Sequence, residues 1–597
     1  MSAPNLAGMF WSRLEHSGAA PAQMVKRQGQ WRTLGWPEVG EAVRELALGL
    51  LALGLQPGRS VALLSTSRAE WVQADLAILS IGAVTVPIYS TYTPELIAHI
   101  LRDSDATAII VEDPGQLEKV LEAQAAAKPL EHIIVMESYE GQASAALRWE
   151  ALRRLGRDHA GRLENLLAER VASVRPEDVA TIVYTSGTTG PPKGVVQTHA
   201  NHMAALAAVA QVTQVRAGEV HLLFLPLAHS FARLEALMGI YVGLTTAFAE
   251  SLDTVAEDLR EVRPHFFCSV PRLFEKVYAK ILAGVEAGSP VKRKLFSWAL
   301  DVGRQVSRLR QARQPIARAL GLKHRLAHRL VFARLHQALG GRLRFAVSGG
   351  APLSGEIAEF FYAADILILE GYGLTETCPV LTFNRIDRFK FGSVGQAIPG
   401  VELKIDADGE ILARGPNVAT RGYLNQPEAT AEAFRPDGWF HTGDIGRMDE
   451  EGFLYITDRK KDLIVTAGGA NVAPQNIENL LKSDPLVSQA MVYGDRRPYP
   501  VALITLNPAE TAKVAREQGL LVTDHTELTR HQAIVERVGR VVEAKNAGLP
   551  SYARIKRFAV LPVDFTEAGG ELTPTQKVKR KVVAEQYSDV IESLYRW

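Results

Sequence analysis

The stretch YTSGTTGPPKG, residues 184–194, directly follows VATIV, residues 179–183. The first five residues are apolar and mostly β-branched, which predicts a buried strand. In the stretch after it, glycines let backbone N–H groups converge on an anion, hydroxyl groups add donors, and Lys193 supplies a mobile positive charge. A surface turn would account for the glycines and prolines, but not for four hydroxyl residues in the five positions 185–189. The sequence therefore predicts a strand that ends in a phosphate-binding loop.

The loop does not match the common nucleotide-binding signatures. Counted from Gly187, the second glycine of a Walker loop falls on Pro192. The stretch GYGLTE, residues 371–376, ends in Glu376 where a dinucleotide fingerprint has glycine. Neither H-E-x-x-H nor G-x-S-x-G occurs in the chain. The phosphate chemistry must therefore belong to another class of protein.

Length and composition restrict the class of protein. A chain of 597 residues is too long for one core, so we expect a large domain and a smaller one. A net charge of +1 argues against nucleic acid as a partner. Two cysteines, Cys268 and Cys378, can neither form a disulfide framework nor supply zinc-ligand spacing. We expect a cytoplasmic protein, because no signal-peptide pattern and no apolar run of membrane-spanning length occur.

Strand-like and helix-like stretches alternate from the N-terminus onward. Examples are a strand at Val61–Leu64, a helix at Glu70–Leu79, a strand at Val84–Pro87 and a helix at Pro94–Asp103. Such alternation predicts an α/β fold with parallel sheets that helices cover on both faces. From Gly392 the pattern changes to short strands separated by glycine-rich turns, which predicts an antiparallel sheet or a small barrel.

The run of charges DRKKD at residues 458–462 separates two strand-like stretches. Because such a run cannot be buried, it predicts a domain boundary. We expect a large N-terminal domain over residues 1–460, made of two parallel-type sheets covered by helices and a small β-barrel-like subdomain. Residues 461–597 are expected to form a smaller α+β domain.

Polar residues follow several predicted strands. His229 comes after the apolar stretch LLFLPLA, at a position where open α/β sheets bind ligands; a capping or packing role is the alternative for a lone histidine. Tyr372, Thr375 and Glu376 combine an aromatic ring for a base, a hydroxyl for phosphate and a carboxylate for Mg²⁺. Asp444 lies in a glycine-flanked stretch that predicts a turn, where it could accept hydrogen bonds from ribose hydroxyls or only form the turn.

The stretch from Pro290 to Leu335 is predicted to be helical and is strongly basic. Asp301 is its single acidic residue. Its basic residues are Lys292, Arg293, Lys294, Arg304, Arg308, Arg310, Arg313, Arg318, Lys323, Arg325, Arg329 and Arg334. Leucines and aromatic residues are interleaved with these charges, so residues 290–335 are a candidate for contact with a membrane surface. A solvated helical face is the alternative, but it does not explain one-sided charge in a balanced chain.

Tyr184–Gly194, Gly371–Glu376 and Thr442–Asp444, in this order, resemble the AMP-forming adenylate-forming superfamily. This superfamily includes acyl-CoA synthetases, firefly luciferase and peptide-synthetase adenylation domains, and the resemblance covers nearly the whole chain. The stretches LPLAHSFAR, residues 225–233, and VPRLFEKV, residues 270–277, are similar to the long-chain fatty acyl-CoA synthetase branch. The stretch at about 285–340 is predicted to be a helical insertion, and it is also similar to that branch.

The resemblance implies two half-reactions at one site. A fatty acid and Mg·ATP give acyl-AMP and pyrophosphate, and the thiol of CoA then displaces AMP. The expected small-molecule partners are therefore fatty acid, ATP and CoA, with Mg²⁺ as cofactor. Because the acid and ATP are both anionic, the barrier of the first step consists mainly of charge repulsion and positioning.

The resemblance also implies roles for individual residues. The implied catalytic residues are Thr375, Glu376, His229 and Lys577. His229 would lie beside the acyl carboxylate. Lys577 would bridge that carboxylate and the α-phosphate, and Thr375 would also contact the α-phosphate. Mg²⁺ would lie near Thr185 and Glu376. Nucleotide contacts are implied for Thr185, Ser186, Gly187, Thr188, Thr189, Gly190 and Lys193 at the phosphates, Gly350, Ala351, Tyr372 and Gly373 at adenine, and Asp444 and Arg459 at the ribose or phosphates.

Lys461 matches the hinge about which the C-terminal domain is expected to rotate between the half-reactions. That rotation would withdraw Lys577 and bring Gly468 and Gly469 to the CoA tunnel. One position departs from the family pattern, because most members have glycine where this chain has Gln576 before the lysine.

Two rival functions stay open at this point. One is an acyl-AMP ligase or carrier-protein loader that does not use CoA, and the other is a catalytically silent adenylate-binding or lipid-binding protein. The long helical insertion argues against oxidative luciferase activity. Peripheral contact with the inner face of the membrane and homodimer formation are further expectations that the sequence leaves open.

Overall fold

The structure is a computed structural model, and it describes residues 3–137, 146–185, 191–467, 470–573 and 576–596. The first of its three parts is an alternating α/β region. Its elements are, in chain order, α1 (Leu6–Ser17), β1 (Pro21–Arg27), β2 (Gln30–Gly35), α2 (Trp36–Ala52), β3 (Ser60–Leu64), α3 (Ala69–Ser80), β4 (Val84–Ile88), α4 (Pro94–Asp103), β5 (Ala108–Val111), α5 (Pro114–Gln124), β6 (His132–Val135), β7 (Leu147–Arg148), α6 (Trp149–Ser173) and β8 (Val179–Thr185).

The second part continues the alternation and contains the basic helices. Its elements are β9 (Lys193–Thr198), α7 (His199–Thr213), β10 (Val220–Leu223), α8 (Ser230–Val242), β11 (Thr245–Phe248), α9 (Val255–Val262), β12 (Phe266–Ser269), α10 (Pro271–Glu286), α11 (Pro290–Gln311), α12 (Arg318–Ala327), α13 (Ala333–Ala338), β13 (Phe345–Ser348), α14 (Gly355–Ala363), β14 (Ile368–Tyr372), β15 (Thr382–Phe383) and β16 (Gln396–Ala397).

The third part has shorter strands and a second, smaller group of helices. Its elements are β17 (Glu402–Ile405), β18 (Glu410–Arg414), α15 (Pro427–Ala433), β19 (Phe440–Met448), β20 (Leu454–Arg459), β21 (Ile464–Val465), β22 (Asn471–Val472), α16 (Pro474–Lys482), β23 (Val487–Tyr493), β24 (Val501–Leu506), α17 (Pro508–Glu517), α18 (His525–Arg530), α19 (Gln532–Asn546), β25 (Arg557–Val560), α20 (Arg580–Gln586) and α21 (Ser588–Ser593).

Two large sheets confirm the expected α/β class. In the described part of the chain one sheet has the order β7-β6-β5-β3-β4-β8-β9 and the other β16-β15-β14-β13-β12-β10-β11-β1-β2. Neighbouring strands are parallel except for β9 at one edge of the first sheet and β2, β15 and β16 at the edges of the second. The central strands are buried along their length, because helices cover both faces.

The strand before the glycine-rich loop pairs with a strand after it. Thr185 of β8 is opposite Lys193 of β9 in an antiparallel register, so the loop closes a β-hairpin. The sequence did not predict β9, because its glycine and polar residues obscure the short apolar core of the strand. Residues 186–190 lie outside the described residues.

The sheet of β17, β18, β19 and β20 is antiparallel, as the change of pattern after Gly392 predicts. The predicted turn at Asp444 is wrong, because Asp444 lies inside β19 and pairs with Arg459 of β20. The glycines on either side suggested a turn. Strand alternation prevails instead, since Phe440, Thr442 and Asp444 are buried in turn along the same strand.

A buried ion pair joins the two large sheets. The guanidinium group of Arg233 in α8 donates to both carboxylate oxygens of Asp75 in α3, at 2.9 and 3.0 Å. Arg233 also donates to the hydroxyl of Thr181, and the hydroxyl of Thr85 donates to Asp75 at 2.7 Å. Both charged side chains are 2% exposed. This network holds α8, and the loop before it, in register with the seven-stranded sheet.

The basic stretch is helical, as predicted, but it is broken into α11, α12, a π-helical turn at His328–Phe332, and α13. Its aromatic residues do not form an outer surface. Phe332 is buried in a small cluster with Ala299, Val302 and Ala364, and Trp298 packs against the same cluster. Among the described residues, no helix combines the length and the hydropathy that crossing a bilayer requires.

Candidate active site

A cavity of about 520 Å³ opens where the carboxyl ends of the nine-stranded sheet meet β8, β20 and the loop before α20. Of the predicted site residues that the structure describes, all except Lys193 line it. These are Thr185, His229, Gly350, Ala351, Tyr372, Gly373, Thr375, Glu376, Asp444, Arg459, Lys461 and Lys577. Ser186, Gly187, Thr188, Thr189, Gly190, Gly468 and Gly469 lie outside the described residues.

Tyr372, Asp444 and Arg459 form one hydrogen-bonded group in the cavity wall. The Tyr372 hydroxyl donates to Asp444 Oδ2 at 2.6 Å, and Arg459 Nε lies 2.9 Å from Asp444 Oδ1. Burial and the adjacent Asp444 raise the pKa of Tyr372, so the phenol keeps its proton. The group fixes the tyrosine ring and leaves lone pairs on the carboxylate for additional donors such as sugar hydroxyls.

Backbone is packed closely behind Tyr372. A Cβ atom on Gly373 would lie 1.7 Å from the carbonyl oxygen of Pro379, so no other residue fits without moving the chain. Gly350 has a φ of +79°, a conformation that L side chains rarely adopt. Both glycines line the cavity, so the backbone itself forms this part of its wall.

Thr375 and Glu376 are held by Gln197 of β9 and by Tyr423, which lies between β18 and α15. The Tyr423 hydroxyl donates to Glu376 Oε1 at 2.7 Å, and Gln197 of β9 donates to the Thr375 carbonyl at 2.7 Å. Lys193 Nζ lies 5.1 Å from the centroid of the Tyr423 ring. Lys193 therefore sits beside the cavity rather than in its wall. Sequence reasoning missed Tyr423, because a single tyrosine in a glycine-containing loop carries no periodic signal.

His229 both caps a helix and lines the cavity, so the two interpretations of this residue do not compete. Its Nδ1 accepts the N–H of Phe231 at 3.1 Å in the first turn of α8. Burial, with a contribution from the nearby Lys577, lowers the pKa of His229 to about 4. The imidazole is therefore neutral at physiological pH, and the ring proton is assigned to Nε2.

Lys577 reaches the cavity from the segment that precedes α20. Its N–H donates to the Thr573 hydroxyl at 3.1 Å, and Gln576 has a φ of +62°, the left-handed conformation that favours glycine. The residue is exposed by its accessible surface and lines the open cavity. Burial and the positive charge of Arg459 lower the pKa of Lys577 to about 8, against the opposing effect of Asp444 and Glu376.

The neighbouring basic residues are directed elsewhere. Arg580 also lines the cavity, but its guanidinium group lies 2.6 Å from the buried carboxylate of Glu478. Lys581 is exposed and pairs with Glu585. Lys579 does not line the cavity. Among these residues Lys577 has the position that fits a cation between two bound anions.

Side chains of α10 contact the C-terminal region, which also carries Lys577. Arg272 donates to the Ser488 carbonyl at 2.7 Å and to the Ser488 hydroxyl at 2.8 Å. Lys482 of α16 lies 3.7 Å from Glu275 of α10. Lys513 of α17 also pairs with Glu286 at the end of α10. These contacts are polar, as is typical of an interface between domains that move.

An apolar arm of the cavity extends between α7, α8, β12 and β13. Its lining residues have apolar side chains in common and include Val209, Val215, Leu234, Met238, Phe266, Phe345 and Val347. The arm begins near His229, which is on the same helix as Leu234 and Met238. A hydrocarbon chain attached to a carboxylate at His229 would find an apolar environment there.

The chain resembles known proteins over nearly its whole length. A model of the family described as AMP-binding enzyme matches residues 10–424, and a model of the AMP-binding enzyme C-terminal domain matches residues 461–597. The long-chain-fatty-acid–CoA ligase FadD15 of Mycobacterium bovis is 39% identical over 99% of this chain and 97% of its own length. The long-chain-fatty-acid–CoA ligase ACSBG1 of Homo sapiens is 34% identical over 98% of this chain and 85% of its own length.

Solved structures share the fold. The anthranilate CoA ligase AuaEII in complex with anthranoyl-AMP has a TM-score of 0.74, with 20% identity over 99% of this chain and 98% of its own. The Mycobacterium tuberculosis fatty acyl CoA synthetase has a TM-score of 0.60, with 24% identity over 98% of this chain and 99% of its own. At these identities the likeness concerns the fold alone.

Proposed function

The chain belongs to the AMP-binding enzyme family, and we propose that it is a long-chain fatty acid–CoA ligase that uses ATP. The observation that carries the proposal is the continuity of one cavity, which joins an apolar arm to Lys577, His229 and the Tyr372–Asp444–Arg459 group. A lipid-binding protein would need the arm alone, and a nucleotide-binding protein would need the polar group alone. Similarity to ligases that are named for long-chain fatty acids supports a long-chain fatty acid as the substrate.

In the first half-reaction an oxygen of the fatty acid carboxylate attacks the α-phosphorus of ATP. A new P–O bond forms while the bond to the leaving pyrophosphate breaks. Lys577 places a cation between the two anions, and His229 offers its Nε2 proton to the carboxylate. Thr375 contacts the α-phosphate, and Tyr372 with Asp444 and Arg459 holds the nucleoside. The proposed phosphate contacts of Lys193 and the hairpin loop complete the site.

The donor set fits a magnesium ion carried by the substrate. Mg²⁺ prefers oxygen ligands and is usually bound through one or two carboxylates together with substrate phosphates. Glu376 offers a buried carboxylate oriented by Tyr423, and Thr185 offers a hydroxyl group at the end of β8. When bound, the ion would neutralise charge on the phosphates, and these two residues would hold it.

In the second half-reaction the sulfur of CoA attacks the acyl carbonyl carbon, and AMP leaves. We propose that the chain divides into domains over residues 1–460 and 461–597 and that the second rotates about Lys461. The rotation would remove Lys577 from the cavity and bring the segment of Gly468 and Gly469 to the thiol entrance. The polar contacts at Arg272 and Glu275 support such a movement.

Adenylation should lose rate as the pH rises through about 8, the value to which burial lowers the pKa of Lys577. Below this pH the lysine is a cation and screens the two anions, and above it the neutral amine does not. We expect kcat/KM for acid-dependent pyrophosphate exchange to fall about tenfold per pH unit on the alkaline side. In Lys577→Arg the cation persists, so the fall should disappear; an identical profile in that variant would contradict the assignment.

The function is tested by supplying ATP, CoA and acids from acetate to very long chains, and measuring AMP and acyl-CoA together. We expect thioester formation to be fastest with long-chain acids, because burial of each added methylene group in the apolar arm stabilises the bound acid. Adenylate without thioester would favour an acyl-AMP ligase or carrier loader. Absence of acid-dependent pyrophosphate exchange would favour a silent binding protein, and preference for short acids would contradict the long-chain assignment.

We also propose that α12 and the turn after it contact an anionic membrane surface. Leu322, Leu326 and Leu330 are exposed hydrophobic residues, and Arg325 and Arg329 lie between them. The double variant Leu322→Ser/Leu326→Ser should lose sedimentation with anionic vesicles. The control is Leu521→Ser, which removes a leucine that is 98% exposed in another part of the chain. Equal binding of both variants, or binding that does not weaken with salt, would contradict the proposal.

A further inference from the structure

Tyr89 lines the cavity, but the proposed chemistry gives this residue no role. It is half-buried and directly follows β4, the strand beside β8 in the seven-stranded sheet. The two strands are parallel, with Thr85 opposite Thr181. Four residues further along each strand, Tyr89 is level with Thr185, the last residue of β8. Because neighbouring strands lie about 4.8 Å apart, the Tyr89 side chain begins close to the phosphate end of the proposed site.

The hydroxyl group of Tyr89 differs from those of the other tyrosines around the cavity. In the described part of the chain four tyrosines line it, and three of them donate to a carboxylate. These three are Tyr184, Tyr372 and Tyr423, which donate to Asp103, Asp444 and Glu376. The hydroxyl of Tyr89 makes no hydrogen bond to any residue that the structure describes. The buried polar atoms without a partner include the hydroxyl of Tyr92 but not that of Tyr89, so the Tyr89 hydroxyl is accessible.

An accessible phenol without a partner is suited to an acceptor that enters the cavity. Burial raises the pKa of Tyr89, so the hydroxyl group keeps its proton and acts as a donor. The ring is held against that of Tyr92, with 5.2 Å between the centroids. Glu567, in the segment before Lys577, is close enough for its charge to act on both tyrosines, but it accepts no hydrogen bond from either. Phosphate oxygens are strong acceptors for such a donor.

We propose that the Tyr89 hydroxyl donates a hydrogen bond to the phosphates of ATP beyond the α-phosphate, and to the pyrophosphate that leaves. Thr185 and Glu376 mark this end of the proposed nucleotide site, whereas Asp444 and Arg459 mark the nucleoside end. Tyr89 is then a binding residue that ATP and pyrophosphate contact and that AMP does not. The inference rests on the proposed ligase function, because it assigns a contact to that enzyme's ATP.

Tyr89→Phe tests the proposal, because it removes one hydroxyl group and keeps the ring. We expect the KM for ATP and the KM for pyrophosphate in acid-dependent exchange each to rise about tenfold or more, the effect of losing a hydrogen bond to a charged group. The inhibition constant of AMP should be unchanged, because AMP lacks the β- and γ-phosphates. Thioester formation from preformed acyl-adenylate and CoA, which involves no pyrophosphate, should keep its rate.

The matched control is Tyr92→Phe. It removes the neighbouring hydroxyl group, which is buried and belongs to a residue that does not line the cavity. Every one of these kinetic constants should match the wild type, and removing a buried donor without a partner should not lower the midpoint of urea denaturation. Wild-type KM values in Tyr89→Phe, an equal rise in its inhibition constant for AMP, or an equal effect in the control would overturn the assignment of Tyr89. A wild-type enzyme without acid-dependent pyrophosphate exchange would instead overturn the ligase function, and this inference with it.

Discussion

Lys577→Ala is expected to lower the rate of acyl-adenylate formation by about 100- to 1,000-fold, the range seen when a preorganised charge-stabilising group is removed. The variant loses the cation that we place between the attacking carboxylate and the α-phosphate. Thioester formation from preformed acyl-adenylate and CoA should be nearly unchanged, because in our proposal the rotated domain has already withdrawn the lysine. Acid-dependent pyrophosphate exchange measures the first step, and single-turnover acyl-CoA formation measures the second.

The matched controls for this prediction are Lys579→Ala and Lys581→Ala. They remove the same charge from the same segment, yet neither residue lines the cavity. Both should retain pyrophosphate exchange within about threefold of the wild type, a difference below 1 kcal/mol. A Lys577→Ala enzyme with a normal exchange rate, or an equal loss in the controls, would move the catalytic role to another residue.

Asp75→Ala is expected to destabilise the protein by about 3–5 kcal/mol, the cost of leaving one member of a buried ion pair without its partner. Arg233 would retain its charge between the two large sheets, where Thr181 and the ring of His202 are its remaining hydrogen-bond partners among the described residues. The loss of stability in each variant is measured from the midpoint of its urea denaturation. The matched control is Glu402→Ala, whose partner Arg414 is at the surface, with side chains 62% and 45% exposed. That change should cost less than about 1 kcal/mol.

A double change distinguishes charge burial from loss of packing. Asp75→Leu/Arg233→Met removes both charges and restores apolar volume, so it should recover much of the stability that Asp75→Ala loses. A double variant as unstable as the single one would mean that the hydrogen bonds to Thr85 and Thr181, rather than the paired charges, support the interface between the sheets. An Asp75→Ala midpoint equal to that of Glu402→Ala would contradict the prediction outright.

Much of the candidate site was accessible from sequence because its residues follow strands. The carboxyl ends of parallel strands meet at one edge of a sheet, so His229, Gly350 and Tyr372 converge although they are far apart in the chain. The place of Lys577 in the site was predicted only from the resemblance to the family, since no periodic pattern connects this residue with the sheet. The helical character of residues 290–335 followed from composition, but the inward direction of Phe332 depends on packing against α14 and the residues that follow it.

Structural features that depend on pairing between distant segments could not be predicted from the sequence. β9 carries lysine and glycine at its start, and its strand state comes from its register with β8. The glycines beside Asp444 suggested a turn, but this segment pairs with β18 at His441 and Ile445 and with β20 at Asp444. The role of Tyr423 is set by the side chain that it contacts, Glu376. Single-sequence patterns contain no information about such encounters.

The two hydrogen bonds from Arg272 to Ser488 affect the turnover rate of the proposed reaction cycle. Two direct hydrogen bonds of this kind contribute about 1–3 kcal/mol together, and under the proposed rotation they form and break once in every turnover. A strong interface would trap the enzyme after adenylation, whereas an absent one would leave Lys577 too rarely in place. Substitutions at Ser488 would therefore shift the balance between the two half-reactions rather than abolish either, and evolution could adjust throughput there without altering the chemistry.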